Sequence, residues 1–259
     1  MATATILAAL LSGGVIGLIL GMVGGGGSIL AVPLLIYVVG VGSPHGAIGT
    51  AAVAVTVNAL ASLSGHARAG RVKWRCGSVF AGAGMIGAAL GAELGKAFDG
   101  KRLLVLFGLL MIGVGLSMLR GRRTAEAPDV RLTRDSATTL MPRLMSIGFG
   151  VGLAAGFFGI GGGFLIVPGL IFATAMPLSF AIGTSLVVVS ALGLTTAISY
   201  AMSGLVDWGV TALLVAGGVG GTVAGVALGK LLGTRKGLLE RGFATVVITV
   251  GGYVMASSS

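Results

Sequence analysis

Two glycine clusters hold the residues best placed to do chemistry in this sequence. They are Gly21-Met-Val-Gly-Gly-Gly-Gly-Ser-Ile-Leu-Ala-Val-Pro33 and Gly156-Phe-Phe-Gly-Ile-Gly-Gly-Gly-Phe-Leu-Ile-Val-Pro168. Seven of the thirteen positions agree across a spacing of 135 residues: Gly21, Gly24, Gly26, Gly27, Leu30, Val32 and Pro33 in the first copy. Consecutive glycines remove side-chain bulk and free the backbone, so N–H groups can approach a ligand closely. Ser28 and Gly163 fall where a short helix would start after each cluster. Unpaired N–H groups and the positive end of a helix dipole suit an anion there. The candidate substrate-binding residues are therefore Gly24, Gly25, Gly26, Gly27 and Ser28, with Gly159, Gly161, Gly162 and Gly163 in the second copy. Pro33 and Pro168, five residues beyond Ser28 and Gly163, would kink the helices that follow. The competing reading is close helix packing, which also recruits small residues in membranes. Gly25 is replaced by Ile160, so the two loops cannot have the same shape.

The polar side chains near these clusters are mild ones. Thr50, Thr56 and Asn58 share one apolar segment, and Thr184, Ser185 and Ser190 share its counterpart. Thr50, Asn58, Thr184 and Ser185 complete the candidate substrate set. Asn58 is the only asparagine and lies mid-segment, where an unpaired amide is costly. An interhelical hydrogen bond and a ligand contact are both open to it. Glu93 is the only carboxylate within an apolar segment, and Lys96 three residues on makes an end-of-helix ion pair its expected role. Proton and sodium sites in membranes usually rest on carboxylates, so coupling to either gradient has little support. His45 and His66 lie near segment ends; a headgroup-level place suits both, with a gating or proton role the alternative for His66. No Gly-x-Ser-x-Gly, His-Glu-x-x-His or Walker pattern is present, so neither hydrolase chemistry nor ATP hydrolysis is expected. The chain is read as a non-enzyme. Cys76, the single cysteine, has no metal-ligand pattern around it and reads as a packing residue. No metal and no cofactor is expected.

The elements that must position these residues are apolar helices. Of 259 residues 55% are hydrophobic and 9% charged, and the mean hydropathy is +1.07. A soluble domain of this length cannot hide that much apolar surface, so the class is all-α polytopic membrane protein. Ten apolar segments fall near 6–23, 28–42, 46–65, 76–95, 103–119, 144–158, 163–176, 178–203, 209–229 and 238–256. The second and seventh are short for a crossing of about 20 residues and read as broken or re-entrant pieces. The duplication extends past the clusters. Ala47-Ile-Gly-Thr50 matches Ala181-Ile-Gly-Thr184, and Gly70-Arg-Val-Lys-Trp74 matches Gly204-Leu-Val-Asp-Trp208. Gly84, Gly87, Gly91 and Lys96 recur as Gly218, Gly221, Gly225 and Lys230. The expected organisation is a membrane repeat at 1–119, a cytoplasmic linker at 120–143 and a second repeat at 144–259.

The net charge of +10 belongs to topology and lipid headgroups rather than to nucleic acid, because the basic residues fall between or at the ends of apolar segments. With five segments per half, fourteen Lys/Arg lie on one side, in 66–75, 120–143 and 230–241. The other side holds Lys96, Lys101 and Arg102 only. Counting each broken pair as one crossing dilutes this to ten against seven. The positive-inside rule therefore favours two inverted repeats, with both termini outside the cytoplasm. Inverted repeats bring equivalent broken segments together near the bilayer midplane, where alternating access can act on a bound ligand. An inside-negative potential drives an anion outwards by roughly 2.3 kcal/mol per charge per 100 mV, so export needs no coupling ion. A passive anion channel lined by the same glycines is the alternative.

The Gly-rich-to-Pro motif, the Ile-Gly-Thr segments and the Gly-x-Val-x-Trp loops together resemble the TauE/SafE family of sulfite and organosulfonate exporters, over about 10–256. The resemblance implies a permease of the bacterial or archaeal cytoplasmic membrane moving sulfite, sulfoacetate or a related sulfur-containing anion. It carries over to Gly24, Gly26, Gly27 and Pro33, and to Gly159, Gly161, Gly162 and Pro168. Asn58 stands where family members often hold a polar residue, whereas its counterpart here is Leu192. The expected partners are the small anion and the lipid bilayer; homo-oligomerisation is left open. Another small anion, or uptake in place of export, is the remaining alternative.

Overall fold

The computed structural model describes residues 3–119, 134–159, 163–231 and 236–258. These form helices without strands among the described residues. Helix α1 (Thr3–Val23) runs into a tight 3-10 stretch, Gly24–Leu30, then one regular turn, α2 (Ala31–Leu34), and a π-helical turn, Leu35–Val39. There follow α3 (Pro44–Arg68), α4 (Trp74–Ala97) and α5 (Gly100–Leu119). The second half supplies α6 (Arg134–Phe158), α7 (Gly163–Thr174), α8 (Leu178–Met202), α9 (Trp208–Leu231) and α10 (Lys236–Ser258). Seven helical stretches are long and apolar enough to cross a bilayer, with Thr3–Val39 counted as one; Gly163–Thr174 and Ala244–Ser257 are shorter. Outward-facing Leu7, Leu11, Ile86, Leu94 and Val223 are each more than half exposed, as lipid-facing side chains of a multi-pass membrane protein would be.

Local signals set the helix ends. Ser43 caps α3, its Oγ accepting the Gly46 N–H at 3.0 Å, with Pro44 in the first turn. Asp99 and Asp207 accept from the Arg102 and Val210 N–H groups at 3.0 Å and start α5 and α9. One boundary differs from the sequence reading: α6 begins at Arg134, so 134–143, counted as linker on polarity, are helical. Backbone hydrogen bonds can carry a helix beyond its apolar span, and hydropathy reports only the span.

The halves are interleaved. Helix α1 packs along α9 and α4 along α6, while α3 meets α8, α5 meets α10, and α7 meets the 3-10 stretch. Each contact is the one obtained by exchanging the two halves. Glycines permit the two closest crossings. Along α1 and α9, a methyl on Gly17 would strike the Gly218 backbone, and one on Gly221 would strike Gly14. Along α4 and α6, a methyl on Gly152 would strike Gly84, and one on Gly91 would strike Leu153. Backbones approach that closely only where side chains are absent.

Candidate functional site

The two glycine clusters are brought together. Gly24 (φ +70°) and Gly159 (φ +64°) adopt the left-handed conformation that ends α1 and α6. Each lies against the other half: a methyl on Gly24 would meet the Ile182 side chain at 2.8 Å, and one on Gly159 would meet Ile48. Gly25 and Gly163 touch backbone to backbone, since a methyl on Gly25 would come within 2.7 Å of the Gly163 Cα. The Gly25 N–H donates to Ser185 Oγ at 3.2 Å, and that hydroxyl donates to the Ile182 carbonyl at 2.7 Å. Ser28 Oγ donates back to the Gly25 carbonyl at 3.0 Å. Gly24 through Ser28, Gly26 and Gly27 included, are buried. Gly161, Gly162 and Ile160 lie outside the described residues.

Helix α7 begins at Gly163, as its sequence suggests, and its positive end abuts Gly25. The first-half counterpart differs. Ser28 sits inside the 3-10 stretch, and regular helix starts only at Ala31. Pro33 falls in the single α-turn between 3-10 and π geometry, whereas α7 runs on through Pro168. The site therefore offers one well-formed helix N-terminus rather than two.

Thr50 and Thr184 are also placed equivalently, each on the opposite half. Thr50 Oγ1 accepts the Asp207 N–H at 3.0 Å, and Thr184 Oγ1 accepts the Lys73 N–H at 2.9 Å. The glycine before each threonine makes room for the same loop: a methyl on Gly49 would strike the Leu205 carbonyl, and one on Gly183 the Arg71 carbonyl. The Ile-Gly-Thr segments and the Gly-x-Val-x-Trp loops are thus two halves of one clasp, made twice. Nothing in their spacing says that they pair across the repeats.

Asn58 is not gathered at the Gly25–Gly163 contact. It lies fully buried on α3 with its amide against Gly218 of α9. Of the candidate substrate-binding side chains it alone has buried polar atoms, both Nδ2 and Oδ1, without a hydrogen-bond partner among the described residues; His45 Nδ1, outside that set, is the other case named from sequence. Thr222, Ser12, Thr196 and Tyr200 also carry buried polar atoms without a partner among the described residues, and sequence reasoning passes over all four. Their hydroxyls in apolar segments look, in sequence, like ordinary back-bonded ones such as Thr56, which donates to the Ala52 carbonyl at 2.6 Å.

Among the described residues the Gly25–Gly163 contact carries backbone amides and hydroxyls and no charged side chain, and the Gly25 N–H and the Ser28 and Ser185 hydroxyls are engaged within the protein. In this arrangement Gly25 and Gly163 lie backbone against backbone, with no room for a ligand between them.

Comparisons with known proteins agree with this architecture. The sulfite exporter TauE/SafE family matches residues 9–254. A probable membrane transporter protein of Xylella fastidiosa is 52% identical over 244 residues, covering 94% of this chain and 92% of that protein. The probable membrane transporter protein YunE of Bacillus subtilis is 30% identical over 242 residues, covering 85% and 89%. A probable membrane transporter protein of Methanocaldococcus jannaschii is 28% identical over 195 residues, covering 72% and 70%. No solved structure matches the chain.

Proposed function

The chain belongs to the sulfite exporter TauE/SafE family, and from that premise we propose that it is a secondary transporter exporting a small sulfur-containing oxyanion. Sulfite, or an organosulfonate such as sulfoacetate, is the substrate class. The observation that carries this reading is the meeting of the duplicated clusters, with Gly25 against Gly163 and Ser185 bonded to the Gly25 N–H. Backbone donors at a contact between two movable halves can hold an oxyanion while one repeat rocks against the other. The repeats are 1–119 and 144–259, joined by 120–143, and are inverted, as the charge asymmetry favours. The protein then lies in the cytoplasmic membrane of a bacterium or archaeon with both termini outside. A reporter fused after Ser259 should read as outside; a cytoplasmic reading overturns the orientation.

Purified protein in proteoliposomes tests the function. A carrier gives saturable sulfite flux that is accelerated by unlabelled sulfite on the far side. Unitary currents would instead make it an anion channel, and absence of flux for sulfite, thiosulfate and sulfoacetate would overturn the substrate class.

A further inference from the structure

The seam between α3 and α9, backed by α1, is more polar than packing requires. Asn58 is fully buried there, and neither amide atom has a partner among the described residues. Thr222 lies one turn beyond Gly218 on α9, so it faces the same way as the position Asn58 covers. Its Oγ1 is likewise buried and unpartnered among the described residues. One turn beyond Asn58 on α3, Ser62 Oγ donates to the Leu20 carbonyl at 3.4 Å. Gly27 packs on that same turn of α1, against the Leu20 backbone nitrogen. The polar seam thus begins beside the first glycine loop.

The equivalent seam of the other half also buries hydroxyls without a partner among the described residues, Thr196 and Tyr200, but it is apolar at the two places that Asn58 and Thr222 occupy. Leu192 occupies the place of Asn58, fully buried and resting on Gly84 as Asn58 rests on Gly218. Ala88 stands for Thr222. An apolar side chain therefore satisfies the packing, and a buried amide without a partner is a cost that packing does not explain.

We propose that Asn58 and Thr222 form a hydrogen-bonding subsite for the transported oxyanion, present on this seam only. The inference rests on the transport reading and extends it. The amide N–H groups and the Thr222 hydroxyl donate to substrate oxygens when the halves part, and at the same two places the seam α4–α6–α8 holds Leu192 and Ala88. The anion is then held unequally on the two sides of the Gly25–Gly163 contact, and Asn58 is its specificity-determining side chain.

Binding of sulfite, thiosulfate and sulfoacetate to purified full-length protein, measured by titration calorimetry with melting temperature alongside, tests this. N58L should bind at least tenfold more weakly than wild type while melting no lower, because leucine is what the equivalent site holds. T222V, which removes a hydroxyl at constant shape, should weaken binding several-fold and decides the matter if N58L does not fold. L192N should leave affinity unchanged. Wild-type affinity in both N58L and T222V, with wild type binding, overturns the subsite alone. A loss of affinity matched by a large fall in melting temperature in both variants also overturns it, as an interhelical structural role. Wild-type protein that binds none of the three anions overturns the sulfur-oxyanion substrate class and the subsite with it.

Discussion

The helix sets α1–α3–α9 and α4–α6–α8 are made of equivalent residues and packed by equivalent glycines, yet they differ in what they bury. Gly17 approaches Gly218 in the first as Gly152 approaches Gly84 in the second. Thr50 and Thr184 make the same backbone clasp to the opposite half. Against that shared frame, the first set holds Asn58, Thr222 and Ser12 where the second has Leu192, Ala88 and Ile147. Duplication explains the frame, since a contact that joins one half to the other is used twice. It does not explain a buried amide on one side. On the proposal made above, the difference separates residues that hold the molecule together, which come in pairs, from residues that serve the anion, which need not.

Breaking the shared frame should have the largest effect and should not depend on the half. Gly17→Leu and Gly152→Leu each place a side chain on a facing backbone, and each should cost about 3 kcal/mol or more, read as loss of monodisperse protein in detergent. A variant that folds normally in one half only would end the equivalence. Leu192→Asn comes next: an amide without a partner should cost about 1–3 kcal/mol in thermal unfolding, while Asn58→Leu should cost nothing. Equal destabilisation by both would mean that Asn58 has a structural partner after all. Thr50→Val and Thr184→Val each orphan a backbone N–H, and should lower stability by about 1–2 kcal/mol to a similar extent. The smallest effect is expected from Glu93→Gln. Its carboxylate pairs with Lys96 at 2.7 Å and accepts from Ser199 at 2.9 Å, but it is 67% exposed. The melting temperature should not move measurably.

Much of this is legible in the sequence, and the reason is the repeat. Helical class follows from hydropathy, and recurrence marks Gly24 and Gly159, the two glycines that adopt the left-handed conformation at the ends of α1 and α6. What recurrence cannot say is which copies touch. Thr50 and Thr184 read as substrate contacts because a hydroxyl in an apolar segment looks available, and its partner, an N–H of the other half, is invisible in a linear chain. Gly13 and Gly17 recur as Gly148 and Gly152, a packing stripe that passes unnoticed among 49 glycines until the helices are laid together. The helical start of α6 at Arg134 was hidden for a different reason: polar residues can be helical outside a membrane, and hydropathy does not register them.

The central claim is that the Gly25–Gly163 contact is the place where an anion passes between the halves. Counterflow of radiolabelled sulfite into proteoliposomes, compared between wild type and Gly25→Ala, tests it most directly. The added methyl meets the Gly163 backbone and should prevent the loops from closing as they do here. Saturable wild-type counterflow falling at least tenfold in monodisperse Gly25→Ala protein is the predicted result. Undiminished counterflow in that variant would contradict the claim and leave the clusters as packing.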